Sequence, residues 1–326
     1  MGEKIVRWDL DDIEMEATVT FPGDGKEYPG IVMIAGSGPT DRDWCSPLIP
    51  GSNGTGKLLA EALTKSGYAT IRFDKRASGP YIQENVQKLM GRISMKGHAE
   101  EVESAVKALV ENTNVSRENL CALTNSEGAI HALNYQAGAS ENKFSGLVLT
   151  GVPGRSVGDV AREQIFNQLK GAENPEYLMG LYDKAVSDFE IGKPYIPDPK
   201  IPESMDLLLR SITSPANQPF SLELWKMNPA DLINEVPDPM LLLIGKKDIQ
   251  VNWEVDGAIL RRRLSGRQNI TISFPENADH VLKYEPMPRD QIVPGLAGQN
   301  YNQASRDLDD ETLGIMLGWL RENCSR

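Results

Sequence analysis

The chain has 326 residues, enough to bury a large core in one α/β unit that carries an insertion. Its 34 Lys and Arg stand against 46 Asp and Glu, and the net charge of −12 opposes nucleic acid and anionic membrane surfaces as partners, leaving a small-molecule ligand as the natural expectation. Three widely spaced cysteines, Cys45, Cys121 and Cys324, suggest neither a disulfide framework nor a zinc site. The N-terminus lacks an apolar signal core and no run reaches membrane-spanning length, so the reading is a cytoplasmic protein with no metal and no cofactor.

In chain order, residues 4–20 alternate and contain two short strand candidates. "GIVMIAG" (30–36) follows, an apolar run ending in glycine, as expected of a strand buried on both faces. "GSNGTGKLL" (51–59) has the spacing of a phosphate loop, but Leu58 stands where Ser or Thr must hold magnesium, and no apolar run precedes Gly51 directly. It reads as a polar connection opening a helix at 56–66. Further buried strands are expected at 68–73, 120–124, 146–151 and 240–245, with another at 270–274. Helical patterns fall between them at 97–112, 127–137 and 252–264, and a last helix begins near Asp310, the N-cap candidate. Alternating strand and helix predict a mostly parallel sheet covered on both faces. The interval 155–237 breaks that rhythm with amphipathic helices and Pro-rich joints such as "KPYIPDPKIPES". It is read as a helical cap inserted into a core of 1–154 and 238–326.

Reactive side chains are sought at the carboxyl ends of parallel strands. Ser126 lies between the strand "LCALT" and the helix "GAIHAL", with Thr124 two before it and Gly128 two after. This is close to G-x-S-x-G, the sharp turn that lifts a serine hydroxyl above a sheet. A serine needs a base, and the chain offers only His98, His131 and His280. His98 opens a polar helix and reads as solvated or packing. His131, five residues up the helix from Ser126, should point elsewhere. His280 follows the last strand in a loop and is the candidate base. The carboxylate that would orient it is Asp248, directly after "MLLLIGKK". Asp256 should lie in the next helix, and Asp279 adjoins the histidine too closely to reach its ring. Glycines in "IVMIAGSGPTDRDW" permit close backbone approach to a substrate, so the amide of Ser37 is the candidate partner of the Glu127 amide in an anion pocket.

Together "AGSGPTDRDW", "LAEALTKSGYATIRFDKRASG", "NSEGA", "IGKKDIQV" and "ENADHVLK" resemble bacterial α/β-hydrolase-fold esterases of the dienelactone-hydrolase-like group, over residues 28–154 and 238–284. The resemblance implies an acyl-enzyme on Ser126 with Asp248 and His280 completing a triad, oxyanion amides at Ser37 and Glu127, and a carboxylic ester as substrate. Thioester, amide or acyl-transfer chemistry on the same residues is the alternative, as is a binding protein on a hydrolase fold. The chain departs from the group's pattern at Thr124 and at Ala77, positions where glycine is usual.

Overall fold

The computed structural model describes residues 1–47, 49–293 and 301–324. Among them, eight strands form one sheet: β1 (Gly2–Leu10), β2 (Ile13–Phe21), β3 (Tyr28–Ile34), β4 (Ala69–Phe73), β5 (Val115–Asn125), β6 (Gly146–Thr150), β7 (Met240–Leu243) and β8 (Ile270–Ser273). Their spatial order is β1-β2-β4-β3-β5-β6-β7-β8. β1 and β2 make an antiparallel hairpin, and β2 is antiparallel to β4. From β4 to β8 every neighbouring pair is parallel.

The apolar runs have a direct cause. Along β3, Val32 and Ile34 face one layer of helices while Ile31 and Met33 face the other, so no position is left for a polar residue. The first layer includes α3 (Met95–Asn112) and α4 (Gly128–Gly138), which contribute Val102, Val106 and Leu133. The second includes α1 (Thr55–Lys65) and the last helix, α11 (Asp310–Asn323), which contribute Leu59, Leu63, Met316 and Leu320. Between β4 and α3 lies α2 (Ile82–Leu89), and α10 (Trp253–Arg263) joins β7 to β8.

Five helices occupy the interval between β6 and β7: α5 (Val157–Gln168), α6 (Pro175–Glu190), α7 (Glu203–Thr213), α8 (Phe220–Lys226) and α9 (Pro229–Glu235). Ile165, Met179, Phe189, Leu209 and Trp225 from the first four make a separate apolar cluster.

Several expectations change. The β1–β2 hairpin has nine-residue strands rather than short ones. α2 was not anticipated, because "IQENVQKL" buries only Asn85 and Leu89 and its apolar stripe is thin. Asp309, not Asp310, caps α11, its carboxylate accepting from the Thr312 amide at 2.8 Å. Cys121 of β5 and Cys324 after α11 form a disulfide with Cα atoms 6.1 Å apart. Spacing along the chain could not reveal a pair separated by 203 residues, and this pairing removes the cysteine argument for a reducing compartment. No helix among the described residues is long and apolar enough to cross a membrane.

"GSNGTGKLL" is a connection. β3 ends at Ile34 and α1 begins at Thr55, and among the described residues between them no strand leads into Gly51. Asn53 is buried and its side chain accepts from the Thr55 amide at 3.1 Å, closing the loop on itself, while Lys57 points to solvent.

Candidate active site

β5 passes through Asn125 into Ser126, whose φ of 53° is positive, and α4 starts two residues later. A left-handed backbone at a residue with a side chain costs about 1–3 kcal/mol and persists only where the surroundings impose it. Here the Ser126 amide donates to the Thr150 carbonyl at 2.7 Å, and the Ala129 amide donates to the Ser126 carbonyl at 3.0 Å. Gly128 explains the second small residue of the motif. A Cβ there would meet the carbonyl oxygen of Ile34 at 2.4 Å and that of Ala35 at 2.6 Å. Thr124 fits where glycine is usual because it is fully buried and its hydroxyl donates to the Val148 carbonyl at 3.2 Å.

Asp248, after β7, and His280, after β8, meet across 32 residues of sequence. His280 Nδ1 lies 2.8 Å from Asp248 Oδ2, both side chains being buried. The other carboxylate oxygen, Oδ1, accepts the amides of Gln250 at 2.7 Å and Val251 at 2.9 Å, which fixes the plane of the group. Burial works to lower the His280 imidazole, and the Asp248 carboxylate more than reverses it, so its pKa lies above the ordinary value. Room for the ring comes from Gly151 at the end of β6, at φ 60°, where a Cβ would sit 2.9 Å from His280 Cε1. Asp279 shapes the loop instead of touching the ring: it accepts the amides of Val281 and Lys283 at 2.9 Å each and pairs with Arg306. Asp256 lies in α10 as expected, buried against Arg155 and the Gly154 amide.

Ser37 follows β3 on a loop that runs beside the turn. A Cβ on Gly36 would stand 3.4 Å from Ser126 Cβ, so the loop backbone passes within contact of the serine. That loop is held by the segment after β4: Asp74 accepts the Arg42 amide at 2.8 Å, and the Ser78 hydroxyl donates to the Thr40 carbonyl at 3.0 Å. Gly79 takes the positive φ of 70° in "DKRASG", which leaves Ala77 free to be alanine.

Ser37, Ser126 and Glu127 line one end of a cavity of about 690 Å³. The apolar part of its wall comes from three places, while Lys75, Arg76, Arg92 and Glu101 give it a charged side. α2 provides Ile82, Val86 and Leu89, α4 provides Ile130, and the helices inserted after β6 provide residues such as Ile212 and Trp225. His98 also borders it, stacked on His131 with ring centroids 4.3 Å apart and bonded to Glu101 at 3.2 Å. Of the two readings of His98, packing holds, and the ring also borders the cavity. His131 is buried, as anticipated, but it bonds Glu127 at 3.0 Å, and burial together with neighbouring His98 pushes its pKa down to about 4. Burial acts to raise the Glu127 carboxyl, while the ammonium of Lys75 and the His131 hydrogen bond hold it well below the usual range.

Two contributors were missed from sequence. Asn125 Nδ2 donates to the His280 carbonyl at 2.9 Å, joining the turn to the histidine loop. Lys75 bonds both Glu127 and the Gly36 carbonyl. Their only sequence signal was adjacency to motifs already singled out.

The sheet order, the serine turn after β5 and the aspartate and histidine loops after β7 and β8 define the α/β-hydrolase fold, and this chain has it. Solved structures agree: the α/β hydrolase GrgF from Penicillium sp. sh18 superposes with a TM-score of 0.58 at 14% identity, with all of both chains covered. The Pyrococcus furiosus esterase PF2001 gives 0.56 at 16%, covering 99% of this chain and 92% of its own. Among curated proteins, the esterase EstD of Thermotoga maritima is 27% identical over 266 residues, which is 81% of this chain and 57% of EstD. The match thus spans little more than half the length of that relative. No family model matches the sequence.

Proposed function

We propose that the chain is a serine hydrolase that cleaves carboxylic esters of small to medium acids. Residues 1–154 and 238–326 would supply the catalytic core, and 155–237 a helical cap over the site. The observation that carries this reading is the buried Asp248–His280 pair at 2.8 Å, whose histidine loop is bonded to the residue immediately before Ser126.

With a carboxylate at Oδ2, Nδ1 of His280 is the donor, and Nε2 is left as the acceptor of a proton. Ser126 Oγ attacks the ester carbonyl and its proton passes to Nε2. The oxyanion that forms is met by the amides of Ser37 and Glu127. The intermediate collapses by breaking the C–O bond to the alcohol, which leaves with the proton held by His280. Water then attacks the acyl-enzyme, losing its proton to the same nitrogen, and Ser126 recovers that proton as the acid departs. The apolar part of the wall suits an apolar acyl or alcohol group and keeps water from the developing charge.

Support comes also from EstD and PF2001, both esterases by name. The test is labelling by a fluorophosphonate, followed by peptide mapping, with hydrolysis of p-nitrophenyl esters, thioesters and amides alongside. Label on Ser126 and preference for the ester are expected. Label on another serine would remove the nucleophile assignment, and preference for the thioester or amide would move the reaction class without moving the site.

A further inference from the structure

We infer that Lys75 is a positioning residue for the anion pocket, holding the two backbone amides, Ser37 N–H and Glu127 N–H, from behind with one ammonium group. The inference rests on the reading of those amides as the oxyanion donors.

Lys75 follows β4 and is only 5% exposed. Its Nζ donates to the carbonyl oxygen of Gly36 and to Glu127 Oε1, the latter at 3.2 Å. Gly36 C=O and Ser37 N–H belong to the same peptide group. The group is planar and trans, so fixing the direction of the oxygen fixes the N–H in the opposite direction. A cationic donor on that oxygen also polarises the peptide, which strengthens its N–H as a donor. On the other side, Glu127 owns the second amide, and its side chain is held by Lys75 and by His131 Nε2 at 3.0 Å.

Charge gives a second reason. A buried carboxylate at Glu127, one residue from the serine, would repel the negative charge that develops on the substrate oxygen. Lys75 offsets that charge at the point where it matters. The chain needs some cation here, and Arg76, the next residue, is committed elsewhere, to Glu101 at 3.0 Å and to Glu100 at 3.3 Å.

The experiment compares Lys75→Met, Lys75→Arg and Lys75→Gln with wild type on p-nitrophenyl butyrate, together with affinity for an alkyl trifluoromethyl ketone, to which a catalytic serine adds, placing an oxyanion in the pocket. Lys75→Met is expected to lower kcat by about 10²-fold, on the scale of losing one oxyanion donor, and to weaken the ketone by a similar factor. KM should stay within about threefold, because the interaction forms with the transition state. Lys75→Arg should recover at least about tenfold of the loss, since it keeps a charged donor. If Lys75→Met does not fold, Lys75→Gln carries the test, keeping a neutral donor and losing the charge, with a drop in kcat and in ketone affinity expected in parallel. Unchanged kcat and ketone affinity in the variant that folds, or a loss confined to KM, would overturn the inference while fluorophosphonate still labels Ser126. Absence of that label in wild type would instead overturn the serine reading and this inference together.

Discussion

Asn125 Nδ2 donates to the main-chain carbonyl of His280 at 2.9 Å, so the residue that ends β5 sets the height of the loop that follows β8. The same side chain lies 3.4 Å from the Thr150 hydroxyl, and a Cβ on Gly36 would meet its oxygen at 3.0 Å. One amide at the end of β5 therefore reaches the end of β6 and the histidine loop, with the Gly36 backbone close beside it. Asn125→Ala is expected to lower kcat/KM by about tenfold, the equivalent of one buried hydrogen bond of about 1.4 kcal/mol. Asn125→Asp should do worse, since a carboxylate would face a carbonyl oxygen. Steady-state kinetics on a p-nitrophenyl ester would check both, and equal activity of all three proteins would show that the loop is held by other contacts.

The acid limb of the pH profile should reflect His280. Burial disfavours its charged form, the Asp248 carboxylate favours it more strongly, and the net pKa lies above the ordinary 6.5. A general base works deprotonated, so kcat/KM should fall as pH drops through a midpoint higher than 6.5. In Asp248→Asn the midpoint should move down along with the rate. A midpoint below the ordinary imidazole value in wild type would contradict the pair geometry.

What could be read from sequence was what repeats or what chemistry restricts. β3, β7 and the inner part of β5 were legible because a strand buried on both faces is apolar along its length, whereas the start of β5, from Val115 through the exposed Arg117 and Glu118, was missed; Ser126 was legible because Gly128 must be small where α4 crosses the carbonyls of Ile34 and Ala35. His280 was legible by scarcity, being one of three histidines. Asp248 followed from strand order. The rest depends on contacts between distant segments. Nothing local marks Cys121 as a partner of Cys324, or Lys75 as the ammonium between Gly36 and Glu127. α2 hides because it presents one face to the cavity and buries little. His98 was left open between solvent and packing because a helix start rich in charge looks solvated, and its ring packs on His131 and Phe220.

His131 should make the protein sensitive to acid. Its folded pKa of about 4 lies below the ordinary 6.5, so between those values the unfolded chain binds more protons and stability falls as pH falls. The loss is a few kcal/mol at most, at about 1.4 kcal/mol per pH unit for one group. Glu127, held below the ordinary 4.5, adds a loss in the same direction but at lower pH. His131→Gln keeps a donor for Glu127 and does not titrate. Urea unfolding at pH 6.5 and 4.5 should show a smaller decline for this variant. A decline equal to wild type would place the sensitivity elsewhere.

The apolar wall contributed by the inserted helices should set acyl length. Ile212 of α7 borders the cavity, and Ile212→Trp fills part of it. Hydrolysis of p-nitrophenyl octanoate should drop at least about tenfold relative to the acetate, because loss of pocket contacts for several methylenes is worth more than about 1.4 kcal/mol. An unchanged ratio would mean that acyl chains lie elsewhere.

Asp248 and Asp256 stand eight residues apart and should separate cleanly when each is changed to asparagine. Asp248→Asn keeps the shape of the group but removes the charge that stabilises the imidazolium and selects its tautomer, so kcat should fall by roughly 10⁴-fold with little change in melting temperature. Asp256 does different work. It is fully buried, accepts the Gly154 amide at 3.0 Å and the Asn252 amide at 3.2 Å, and holds the Arg155 guanidinium at 2.8 and 2.9 Å. These contacts tie α10 to the point where the inserted segment leaves β6. Asp256→Asn leaves Arg155 paired with Glu163 alone and removes a buried charge that accepts two backbone amides, which should cost about 1–3 kcal/mol of stability. The enzyme that remains folded should turn over at nearly the wild-type rate. Thermal melts and kinetics on the same two preparations decide the matter: a stable, slow Asp256→Asn and an active Asp248→Asn would exchange the roles assigned to the two carboxylates.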